Sequence, residues 1–144
     1  RLYYPLNESR LFMINKNFRE LTRDKKKEIK KINTKGRDFI ISNFYDGIIR
    51  FKFSDLCDKN LGAEDYINIS NISDYIFIEE IPVFNDENSN QQLRFITLID
   101  ILYEKKIILS LSLESNLNNL GSSRKHMQTF RRTISRLIEL TKKN

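Results

Sequence analysis

The apolar positions change period several times along the chain, and each change predicts an element. Leu2 to Leu6 reads as a short extended lead-in, with Pro5 restricting Tyr4 before it. Asn7 is a helix-capping residue type, and Leu11, Ile14, Phe18 and Leu21 then recur at helical spacing. An amphipathic helix ending near Thr22 follows from that pattern. Three strands at hairpin spacing come next, over Glu28–Thr34, Asp38–Phe44 and Ile48–Phe53. They are separated by Lys35-Gly36 and Asp46-Gly47, and Asp-Gly between β-rich runs is a strong hairpin signal. In the third strand Ile49, Phe51 and Phe53 share one face and Arg50 and Lys52 the other, which predicts that one face is wet.

Ser54 reads as the cap of a short helix through Cys57, and a second helix runs from about Ala63 to Ser70 after the Leu61-Gly62 break. Tyr75–Ile78 is a short buried strand ended by Pro82, and residues 85–90 form a polar loop. From about Gln91 to Glu104, Phe95, Ile96, Leu98, Ile99, Ile101 and Leu102 cover most of a helix. Only Arg94, Thr97, Asp100 and Glu104 leave a polar stripe, so this helix is buried. Ile107–Leu113 returns to strand, completing a βαβ unit with parallel strands. A last helix spans about Arg124 to Thr141, with Met127, Phe130, Ile134, Leu137 and Ile138 inward and Arg132, Ser135, Arg136 and Glu139 opposite. The expected fold is α/β: an antiparallel β-hairpin region (about 28–53), then a βαβ unit and a C-terminal helix. Along the chain this divides into a helix (1–22), a basic linker with hairpins (23–53) and an α/β region (54–144), as one domain or part of one.

Composition narrows the function. A chain of 144 residues with 40% apolar residues can bury a core. Its formal net charge of +6 favours anionic partners but says nothing about fold. Six basic residues lie between Arg23 and Lys31 and seven between Arg124 and Lys143. A lysine run beside a helix end reads first as a solvated face, with nucleic acid or acidic lipid as alternatives. No aromatic interleaves the 23–31 cluster, so base stacking is not suggested there, and nucleic acid ranks last among the partners. Cys57 is the only cysteine, which excludes an intrachain disulfide and fits a reducing, cytoplasmic setting. With His126 as the only histidine, a zinc site of the usual Cys/His kind is excluded too. No apolar run reaches the ~20 residues of a membrane span. Arg1 at the start, in place of Met, leads us to expect upstream sequence.

The candidate chemistry is sparse. The glycines at 36, 47, 62 and 121 fit no G-x-x-x-x-G-K-[ST] loop, so nothing here cradles a triphosphate. Tyr75-Ile-Phe-Ile-Glu-Glu80 has the apolar-strand-then-acid pattern that holds Mg²⁺ in P-loop ATPases, with Ser112 in a sensor-like place on the next strand. The competing and preferred reading makes Glu79 and Glu80 surface acids. Arg94 lies on the polar stripe of a buried helix and needs a specific partner, either Asp100, Glu104 or a bound anion. Arg132 and Arg136 stand one turn apart, and their forked donors suit a neighbouring phosphate. The alternative is a helix-end cation pair satisfied by Glu139 and water. Cys57 reads as a packing residue and His126 as solvent-facing or capping.

Three ordered stretches then resemble a known family. Phe51-Lys-Phe-Ser-Asp-Leu-Cys57 with Leu61-Gly-Ala-Glu-Asp-Tyr66 is similar to F-x-F-x-x-L-C-x-x-P-L-G-x-x-D-Y, with Asn60 in place of the proline. Arg94-Phe-Ile-Thr-Leu-Ile-Asp100 with Leu102-Tyr103 is similar to R-F-I-T-L-I-D-x-L-Y, and Phe130-Arg-Arg-Thr-Ile-Ser-Arg-Leu137 to F-x-R-T-x-S-R-L. Glu104 stands where that pattern has Asp. These motifs belong to the ZapE/AFG-one-like P-loop ATPases, related to the AAA+ class. The opening Arg1-Leu-Tyr-Tyr-Pro-Leu6 resembles the segment after that family's D-Y-R motif. The resemblance implies the C-terminal portion of such an ATPase. Its phosphate loop and acidic motif, and hence ATP and Mg²⁺, would lie in an upstream P-loop domain. It further implies a role in cell division or protein quality control, a division-ring or other protein partner, a mitochondrial location for eukaryotic relatives, and Arg94, Arg132 and Arg136 as nucleotide-sensing or coupling candidates. A homo-oligomer is an open reading. A non-enzymatic interaction module, or a remnant of a split ATPase gene, is the alternative.

Overall fold

The structure, a computed structural model, describes residues 1–142, so Lys143 of the second basic cluster and Asn144 lie outside the described residues. The elements run β1 (Leu2–Tyr3), α1 (Glu8–Thr22), β2 (Glu28–Thr34), β3 (Arg37–Tyr45), β4 (Ile48–Lys52), α2 (Phe53–Cys57) and α3 (Ala63–Asn71). They continue with β5 (Tyr75–Ile81), α4 (Ser89–Glu104), β6 (Ile108–Leu113) and α5 (Met127–Thr141). All six strands join one sheet in the order β1-β6-β5-β4-β3-β2. The first four of these neighbours are parallel, and β4-β3-β2 are antiparallel. The hairpin region and the βαβ unit read from sequence are therefore two halves of one mixed sheet.

Turn chemistry fixes the antiparallel half. Lys35-Gly36 and Asp46-Gly47 all have positive φ, the combination of a two-residue type I′ hairpin, whose twist matches that of the strands it joins. Gly47 also hands its carbonyl to Asp74 N and Tyr75 N at 2.8 and 3.2 Å, which sets β5 beside β4.

The period-2 pleat then sorts side chains to two faces. Ile49, Phe51, Ile76, Ile78, Leu109 and Leu111 point into the larger core, closed by Leu56, Tyr66, Phe95, Leu98, Ile99, Phe130 and Leu137 of the helices α2–α5. Tyr3, Ile48, Tyr75 and Phe77 face the other way, against Ile14 of α1 with Phe18 and Leu21 beside it. The result is three layers: α1, the sheet, and α2–α5.

Several boundaries differ from the sequence reading for physical reasons. The Arg50 face of β4 is not wet, because α1 lies over it; Ile48 is 6% exposed. The short helix begins at Phe53, since Asp55 rather than Ser54 caps it by accepting from Lys52 N at 3.1 Å. Where a polar loop is expected over 85–90, Asp86–Asn88 form a 3-10 turn capped by Asn85, and α4 already begins at Ser89. The inward stripe of α5 is rotated from the expected one. Phe130, Thr133, Leu137 and Leu140 are buried while Met127 and Ile138 are exposed. β5 runs past Ile78 to Ile81 through a bulge, with Glu80 at φ 60 as the extra residue. That one-residue insertion puts both Ile78 and Ile81 into the larger core, where strict alternation would send Ile81 to the opposite face.

Candidate functional site

The second and third sequence motifs meet along the seam between α4 and α5. Arg136 Nη1 donates to Asp100 Oδ1, and its guanidinium lies over the Tyr103 ring at 4.6 Å. Arg132 Nη2 approaches the other Asp100 oxygen at 3.5 Å. Asp100 and Tyr103 come from one motif, and Arg132 and Arg136 from the other. Hydrogen bonding to Glu139 pushes the Tyr103 phenol above its ordinary value. The two arginines differ in access: the Arg136 side chain is 22% exposed and that of Arg132 56%. Asp100 is thus shared unequally, held closely by Arg136 and at longer range by the more exposed Arg132, with Glu139 beside Tyr103 on the same seam.

Arg94 does not join them. Its Nη1 donates to Cys57 O at 3.1 Å, so it ties α4 to the last carbonyl of α2 rather than to Asp100 or Glu104. A cation at a helix C-terminus is electrostatically favoured, and α4 is buried enough to require such a partner. Arg132 and Arg136 likewise find Asp100 where Glu139 and water were the expected alternative.

The first motif is a lock on the same layer. Tyr66 OH donates to Leu56 O at 2.6 Å within the core. Asp65 accepts from Gly62 N at 2.9 Å, capping α3, and both its oxygens accept from Arg37 Nη2 at 3.1 and 2.9 Å. Burial opposes ionisation of Asp65, but the Gly62 N–H and Arg37 outweigh it and hold its carboxyl below the ordinary range. Burial pushes the Cys57 thiol up to about 12, so it is a packing residue. Arg37 was not legible as part of this cluster. It sits 28 residues before Asp65, and only the hairpin brings it there.

The layer under α1 holds the other ionic cluster. Glu79 is 8% exposed, and its two oxygens accept from Arg50 Nε and Nη2 at 2.6 and 2.7 Å. Arg50 also donates to Asn15 and lies over Phe18. Glu79 is therefore not a surface acid, since α1 covers it. Glu80 is exposed, and its backbone N donates to Ser112 Oγ at 2.8 Å, which anchors the bulge and occupies the sensor-like serine. A cleft of about 370 Å³ lies above these strand ends, between Leu6, Leu11 and Ile14 of the α1 side and Glu79, Glu80 and Ser112. Deeper in, Asn17 and Tyr75 both bond Ser110 Oγ. His126, expected in solvent or as a cap, is buried at the N-cap position of α5, where its side chain makes no capping hydrogen bond and Ser123 Oγ accepts from its backbone N.

Among the described residues, no group of three or more His, Cys, Asp or Glu is placed to hold a metal ion. No helix among them is long and apolar enough to cross a membrane.

A three-layer α/β unit whose helical layer is stitched by Asp65, Arg94, Asp100 and Arg136 defines the class. The chain matches the AFG1-like ATPase family over residues 1–144 and belongs to it. Distant relatives agree. It is 32% identical over 89 residues to lactation elevated protein 1 homolog B of Danio rerio, covering 62% of this chain and 18% of that one. It is 24% identical over 136 residues to the cell division protein ZapE of Escherichia coli K12, covering 94% of this chain and 36% of ZapE. The chain thus spans about a third or less of the length of these relatives. No solved structure matches it significantly.

Proposed function

We propose that this chain is the C-terminal part of an ATPase, which acts on nucleotide only together with an upstream P-loop domain. Its role is to supply an arginine and a partner surface, not the hydrolytic site. The carrying observation is the unequal hold of Asp100 on its two arginines. Arg136 is held by the carboxylate and the Tyr103 ring, whereas Arg132 is half exposed at 3.5 Å and free to swing to an incoming anion. Arg132 is then the coupling residue that senses nucleotide or transmits its state, Arg136 positions Asp100, and Arg94 fixes α4 against α2. The residues present do not fit ATP·Mg²⁺ by themselves. No glycine-rich phosphate loop occurs in the sequence, and both Glu79 oxygens are taken by Arg50. By analogy with ZapE the whole protein serves cell division.

Titrating ATP and Mg²⁺ into the 144-residue chain should give no binding and no turnover. Micromolar affinity or measurable hydrolysis would sink this reading.

One observation favours a second reading, a non-enzymatic interaction module. All three arginines already have internal partners. The DNA immediately upstream discriminates between the two: an in-frame P-loop segment supports the ATPase, and noncoding sequence supports the module.

A further inference from the structure

A second surface lies away from the Asp100 seam. The loop after β6 and the first turns of α5 enclose an open groove of about 360 Å³, lined by Leu117, Gly121, Met127, Phe130, Arg131 and Ile134 among others. Its floor is core, since Phe130 and Leu117 are buried at 3% and 7% exposure. Its outer lip is Met127, 47% exposed at the turn where the α5 stripe departs from the expected pattern.

The far wall is pinned on both sides. Gly121 has φ 70 and forms a bridge with Phe84, and a Cβ there would stand 2.7 Å from Phe84 O, so no side chain could replace it without moving the loop. Gln92, fully buried, donates to Ser122 Oγ at 2.8 Å and accepts from Ser123 N at 2.9 Å. Asn116 caps the loop's 3-10 turn by accepting from Asn119 N. The groove is therefore preformed, which lowers the ordering cost of binding.

Its charge is one-sided. No acid lines it, and Arg131 is exposed with no acidic partner among the described residues. Of the arginines nearby in sequence, Arg124 is held by Asp86, and Arg132 and Arg136 by Asp100. Arg131 is the arginine of this stretch with no ion pair among the described residues.

The geometry points to a docking groove for an acidic peptide segment of a partner protein, which sets one apolar anchor between Met127 and Phe130 and a carboxylate on Arg131. Met suits the lip because its unbranched thioether adapts to different anchors. An apolar seat beside a single forked donor fixes both depth and orientation, the arrangement found in ligand grooves. This goes beyond the arginine-coupling reading above, and it depends on residues outside the Asp100 cluster.

The test is fluorescence anisotropy on the full chain with short fluorescein-labelled peptides that carry one Leu or Phe flanked by Asp and Glu. Two companion probes replace the acids by Lys or the anchor by Ser, and a labelled oligothymidine tests for nucleic acid. The acidic, anchored probe should bind, and binding should weaken as salt rises. Arg131→Glu should weaken it about tenfold or more, with Arg131→Lys intermediate. Met127→Ser should weaken it by about threefold. Both positions are exposed, so circular dichroism should show these variants folded. Three outcomes overturn the proposal: no acidic probe binds, the Lys-flanked probe binds equally well, or Arg131→Glu and Met127→Ser leave binding unchanged. Tighter binding of oligothymidine that Arg131→Glu abolishes would assign the groove to nucleic acid instead. None of these results bears on whether ATP binds the chain.

Discussion

The two ionic clusters sit on opposite faces of one sheet and are built differently. Under α1, Arg50 and Glu79 are matched one to one, with two short hydrogen bonds at 2.6 and 2.7 Å, and Glu79 is buried. On the other side, Asp100 serves two arginines, one closely and one at 3.5 Å, beside solvent. A balanced, buried pair has no charge to offer and serves specificity of packing. In the half-exposed cluster Arg132 is held loosely and its guanidinium stays accessible. Both contain arginine and carboxylate, so residue type alone does not separate them. Closeness of pairing and access do.

The sharpest way to break this comparison is at Glu79. Glu79→Ala leaves Arg50 under α1 without its counter-ion and should cost about 3 kcal/mol in urea unfolding. The paired change Arg50→Met with Glu79→Leu removes both charges and should recover most of that loss. If Glu79→Ala proves harmless, α1 does not seal the pair from water.

Asp65 gives the next effect. Asp65→Asn weakens the cap on α3 and the Arg37 bridge, at about 2 kcal/mol. The pH dependence has a definite sign. The folded carboxyl titrates below its unfolded value, so its stabilisation is complete above about pH 4 and drains away as pH falls through the lower folded value. Urea midpoints measured down that window should fall more steeply in the native chain than in Asp65→Asn. Equal slopes would show that Asp65 is not held ionised by its surroundings.

The sequence displayed these regions unequally. The strands of the hairpin region were readable because Lys35-Gly36 and Asp46-Gly47 are local turn chemistry, and α4 was readable because its apolar residues leave a single polar stripe. What failed was whatever a distant element decides. Arg50 reads as solvent-facing until α1 is laid over β4, and Glu79 reads as a surface acid for the same reason. Met127 and Ile138 fit a helical stripe as well as Thr133 and Leu140 do, and only the position of α4 chooses between them. The bulge at Glu80 has no glycine to announce it. Arg94, Arg132 and Arg136 could be singled out from motif and stripe, but their partners could not. The polar stripe of α4 suggests Asp100 as a partner for Arg94, whereas Asp100 faces α5 and takes the other two.

Within the seam, Asp100→Asn should cost about 1 kcal/mol, because the carboxylate is about a third exposed and solvent screens part of its attraction. Arg136→Ala should cost a similar amount, through its lost stacking on Tyr103 as well as its lost charge.

Arg132→Ala is the smallest change in stability and the most informative in function. Its ion pair is long and exposed, so unfolding should shift by less than ~0.5 kcal/mol. If Arg132 is the coupling residue proposed above, the same substitution in a full-length protein with a P-loop domain should lower ATP turnover about tenfold or more, since an arginine aimed at phosphoryl oxygens is worth far more there than as a surface cation. Arg132→Lys should then recover only part of the activity, because a point charge cannot replace the fork. Unchanged turnover with unchanged stability would return Arg132 to the surface and leave the Asp100 seam a purely structural clasp. A loss of turnover that tracks a loss of folding would also make the seam structural, by the opposite route. What separates function from packing at this position is the gap between the two measurements.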